Sequence, residues 1–72
     1  MPNQHVVKRD GEWAVRKEHA NRDTRRFDTQ AEAIQAARGI AINQGAEMFI
    51  HGRDGKIRER NTYGDDPNPP KG

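Results

Sequence analysis

The sequence predicts an α+β domain: an antiparallel sheet of four to five short strands with one helix packed on one face, in the order β-β-(β)-α-β-β. Three observations carry this. One stretch, Thr29 to Gly45, has both helical periodicity and helical ends. Two Asp-Gly pairs, Asp10-Gly11 and Asp54-Gly55, each separate runs that suit paired strands. The length, 72 residues, gives one domain.

The first hairpin joins His5-Val6-Val7-Lys8-Arg9 to Glu12-Trp13-Ala14-Val15-Arg16-Lys17. Strand alternation puts Trp13 and Val15 on one face and Glu12, Ala14 and Arg16 on the other. Trp13 is the largest apolar group and the expected centre of the core. The polar run Glu18 to Thr24 leads to a short third strand, Arg25-Arg26-Phe27. Phe27 is placed either to staple the helix entry or to reach the sheet.

The helix opens on a capping box, Thr29 with Glu32 three residues on, and Asp28 competes as the cap. Ala33, Ile34, Ala37, Ile40 and Ala41 form one stripe at helical spacing. Gly39 costs roughly 1 kcal/mol against Ala and is read as a point of close approach to the sheet. Gly45 is placed to end the helix in the left-handed conformation. Beyond it, Ala46 to His51 and Lys56 to Arg60 flank the second Asp-Gly turn, with Met48, Ile50 and Ile57 inward. Residues 1–62 thus form the domain. Residues 63–72 read as a Pro-rich tail, in which Pro67, Pro69 and Pro70 forbid helix and Tyr63 is the one anchor.

Composition narrows the function classes. The apolar fraction is 31% and the charged fraction 33%, poor material for a large core. Below about 70–80 residues a core rarely supplies more than ~3–5 kcal/mol without a staple. The absence of cysteine removes disulfides, thiolate metal sites and cysteine nucleophiles. Three scattered histidines do not make a structural zinc site, so a homodimer is the expected staple. There is no Ser nucleophile and no Gly-rich phosphate loop. His51-Gly52-Arg53-Asp54 lacks the spacing of a kinase loop, and Asp65-Asp66 reads as a charged turn. The expectation is no enzyme, no catalytic residue, no metal and no cofactor. No apolar run approaches the ~20 residues of a membrane span, and the N-terminus lacks the apolar core of a signal peptide. A cytoplasmic protein without a membrane partner is therefore expected.

Several blocks together resemble a known family. They are Val6, Val7 and Lys8; Gly11, Trp13, Ala14 and Val15; Asp28 to Ala33; Asn43 to Glu47; and His51 to Gly72. On these the chain resembles a small bacterial and phage family called domain of unknown function 2188. The resemblance covers most of the chain and implies a small α+β domain. It implies no activity, cofactor or site residue.

Binding is the function class that remains. One helix covers one face of the sheet, so the other face meets solvent or a partner. Alternation assigns Arg16, Phe49, His51, Lys56, Arg58 and Arg60 to that face, while Arg22, Arg25 and Arg26 make a second basic cluster ahead of the helix. The formal charge is +2 and the pI about 9.4, a mild basic bias with acids interleaved. Two readings fit. The first is a protein-interaction module or homodimer using the open face. The alternative is DNA or RNA binding, with guanidinium groups on phosphates and Phe49 stacked on a base.

Overall fold

Chain reversals set the direction of every strand. The computed structural model describes residues 3–63. Within them run β1 (Gln4–Arg9), β2 (Glu12–Lys17), β3 (Arg25–Phe27), α1 (Gln30–Gln44), β4 (Glu47–His51) and β5 (Ile57–Thr62). The strands lie in the order β3-β2-β1-β4-β5. Three neighbouring pairs are antiparallel, but β1 and β4 are parallel. The expected α+β fold, with one helix on a sheet of five short strands, stands; the sheet, expected antiparallel, is mixed through this one pair. Two reversals make β3 run with β1. The helix then returns the chain to the end where β3 began, so β4 runs that way too. The second hairpin docks through β4 against β1, and the two central strands must be parallel.

Local chemistry explains the elements. Asp10 and Gly11 both hold positive φ, 46° and 86°, as a tight hairpin turn requires. The Thr29 hydroxyl accepts from the Glu32 backbone N–H at 3.2 Å. In return it donates to the Glu32 carboxylate at 3.3 Å, so the acid bonds the cap's hydroxyl in place of its N–H. Gly45 ends the helix at φ 64° and donates back to Ala41 and Ile42, as a left-handed cap does.

The core lies between α1 and the sheet. Val6, Trp13, Val15, Met48 and Ile50 project from three strands onto Ala33, Ala37 and Ala41. Trp13 is only 6% exposed and pairs across to Phe27, which joins the rim of the cluster with Ile34, Ile40 and Tyr63. The Tyr63 N–H also donates to the Ala46 carbonyl at 3.2 Å. The expected Pro-rich run after Tyr63 lies outside the described residues. Two core expectations are corrected. Ile57 is 55% exposed, because a register shift at Ile50/His51 pairs it with His51 on the uncovered side. Gly39 is exposed and a Cβ built there meets nothing within 4 Å, so no close approach to the sheet explains it. Among the described residues no helix is long and apolar enough to cross a membrane.

Candidate functional site

The face of the sheet opposite α1 carries the chemistry, and strand pairing dictates who meets whom on it. From β1 come His5, Val7 and Arg9, opposite Arg16, Ala14 and Glu12 of β2. The parallel pairing sets Phe49 of β4 beside His5, and Arg60 of β5 lies opposite Phe49. Arg26 of β3 lies opposite Ala14. The middle of the face is apolar: Val7 and Ala14 pair directly, and Ala14 is fully buried.

Ion pairs occupy one end. Arg9 grips Asp23 with two nitrogens, Nε to Oδ2 at 3.1 Å and Nη2 to Oδ1 at 3.2 Å. Arg26 reaches Asp23 at 3.3 Å and Glu12 at 3.6 Å. Partial burial pushes the Asp23 carboxyl up, but the hydrogen bonds and charges of Arg9 and Arg26 outweigh it, and the net shift is down. At the other side Arg60 stands 3.9 Å from Glu47.

A line of side chains crosses the remaining part. Glu18 Oε1 lies 3.2 Å from His5 Nε2, and His5 Nδ1 lies 2.9 Å from His51 Nε2. His51 Nδ1 lies 3.2 Å from the Gly55 carbonyl oxygen. The His5 ring stacks on Phe49 with centroids 4.9 Å apart and planes 21° apart. Asn3 braces the end of the line, donating to Glu18 at 3.2 Å and accepting from the Glu47 N–H at 3.0 Å. The hydrogen bonds from His5 and then Asn3 hold the Glu18 carboxyl below its ordinary value. Arg16 borders a groove of about 320 Å³ shared with Glu18, His19 and both line histidines.

The structure gathers Arg16, Phe49, His51 and Arg60 on this face, where alternation put them, and brings Arg26 to it from the cluster ahead of the helix. Three other named cations lie elsewhere. Arg25 points to the helix side, its guanidinium 5.1 Å from the Phe27 ring centroid, because alternation separates it from Arg26. Lys56 precedes β5, exposed in the turn. Arg58 follows the register shift: it lines, with Trp13, Thr29 and Ile34, a cleft of about 590 Å³ at the helix start. A Cβ on Gly52 would come within 3.1 Å of its Cγ, so that glycine leaves room for the arginine stem. Sequence reasoning missed His5, Arg9, Glu18 and Asp23. The Asp10-Gly11 turn already implies that His5 faces Arg16. Its meeting with His51 depends on β1 lying beside β4.

Among the described residues no cluster of three or more His, Cys, Asp or Glu is arranged to hold a metal ion. No solved structure is matched by the chain. An uncharacterized protein, YdaT of Bacillus subtilis strain 168, is 39% identical over 57 residues, which is 79% of this chain. The matched stretch spans 38% of that relative's length. A family model described as an uncharacterized protein conserved in bacteria matches residues 4–63, the whole of the described sheet and its helix. The chain therefore belongs to the DUF2188 family.

Proposed function

We propose that this chain is a non-catalytic protein-interaction module of the cytoplasm that pairs with a second copy of itself through the open sheet face. One observation carries the reading: the face is apolar in the middle and balanced in charge around it. Val7 and Phe49, both half-buried, supply the accessible apolar strip over the buried Ala14. Arg9, Arg26 and Arg60 are each already matched by a carboxylate on the same face. Such a face suits a like surface better than a polyanion, since binding phosphates would require these pairs to be broken. Arg and aromatic residues at the centre of a patch are also the usual anchors of protein interfaces. Pairing two copies would give the small core the second layer that its length calls for.

Sedimentation equilibrium tests this directly. The wild-type chain is expected to dimerise. Phe49→Glu is expected to weaken the dimer by about thirtyfold, roughly 2 kcal/mol or more at a central anchor, with an unchanged circular dichroism spectrum. A wild-type chain that stays monomeric to millimolar concentration overturns the reading. The second reading, DNA or RNA binding, draws on Arg16, Arg22, Arg53 and Lys56, which hold no carboxylate by salt bridge among the described residues. It predicts retention on a nucleic acid that falls steeply with salt.

A further inference from the structure

The line Glu18–His5–His51–Gly55 imposes a proton count. Its two ends accept only: Gly55 offers a carbonyl oxygen, and Glu18 offers a carboxylate held in its charged form. His51 must therefore carry a proton on Nδ1, and His5 one on Nε2. The 2.9 Å contact between His5 Nδ1 and His51 Nε2 needs a third proton between the rings. Two neutral imidazoles carry two N–H protons in total. The line is complete only when the two rings share one more.

We infer that the His5–His51 pair is a proton-binding site that holds a single positive charge on the open sheet face, beside its apolar middle. The surroundings fit a charge. Glu18 is the counter-ion and the Phe49 ring lies face-on beneath His5, an arrangement that favours a cation. Other groups also face the pair. Arg16 lies opposite His5 and opposes the charge, whereas Glu47, paired with Arg60, flanks Phe49. His19 touches the far oxygen of Glu18 at 3.5 Å. Arg9, Arg53 and Asp54 share a groove with His51. Loss of the shared proton leaves two protons for three hydrogen bonds, so one link must open. A second added proton puts N–H groups nose to nose between the rings and breaks the central one. The pair is thus stable with one charge and strained with none or two, and its links tie β1 and β4 to the turn before β5 and to the segment after β2. The inference does not depend on what docks on the face.

Imidazole nitrogen NMR on the full chain, with pH varied, reads the count. The pair is expected to take up its two protons in successive, coupled steps. Between the steps three of its four ring nitrogens should carry protons, and His51 should keep its proton on Nδ1. In His51→Phe, which retains a ring but no nitrogen, His5 should titrate in one step. The wild-type spectra decide the matter even if that variant unfolds. Two independent single-step titrations, or His51 neutral with its proton on Nε2, overturn the inference.

Discussion

The two faces of the sheet hold the domain by different means. The covered face is dry: five strand side chains meet three alanines of α1, with no ion pair between them. The open face is wet and held by polar contacts, in which Asp23 joins two arginines and Glu18 begins a line of two histidines. Alanine on the helix lets the two layers approach closely but buries little area per contact, so each large side chain on the sheet matters. The open face contributes less per contact, because exposed ion pairs yield ~0–1 kcal/mol each. What it contributes is registration: its bonds reach from β1 to the loop before β3 and to the turn before β5. The lesson is that stability and registration are divided between the faces, one built of area and the other of charge.

That division can be broken at its strongest point first. Met48 is 1% exposed and sits in the middle of the covered face. Met48→Ala is expected to cost about 2–5 kcal/mol, the range for deleting a buried large side chain, which denaturant titration would show as a lower midpoint or outright unfolding. A loss under about 1 kcal/mol would mean that the covered face is not the main support.

Gly39 sharpens the comparison from the outer side of the helix. Its Cβ position is open, so Gly39→Ala is expected to stabilise by up to ~1 kcal/mol through helix propensity alone. Thermal unfolding would register the gain, and a destabilisation would show a contact at that site.

The smallest effect belongs to the ion pairs. Asp23→Asn is expected to cost about 1 kcal/mol or less near neutral pH. Because the folded carboxyl lies below its ordinary value of 3.8, its contribution is full above that value and is lost as pH falls through the folded one. The gap between wild type and variant should therefore close on acidification. A gap that persists unchanged at low pH would assign the loss to packing.

How much was legible follows from the range of each interaction. The helix and its two ends came from residues within one or two turns of each other: Thr29 with Glu32, the alanine spacing, Gly45. The first hairpin and its faces came from Asp10-Gly11 and a period of two. Arg58 was misplaced because a one-residue register shift reverses a side chain's direction, and nothing in the local composition marks it. Arg25 and Arg26, grouped in one cluster, are parted by a legible rule, since adjacent strand residues point to opposite faces.

What the sequence alone determined is the kind and order of the elements, the covered face and the family, all set by short-range patterns. What only the tertiary structure decided is that β4 lies along β1. That adjacency makes the central pair parallel and brings His5 to His51 from 46 residues away. The reason is physical: propensity and periodicity act within an element. Which strand of one hairpin meets which strand of the other is settled by how both pack on the same helix.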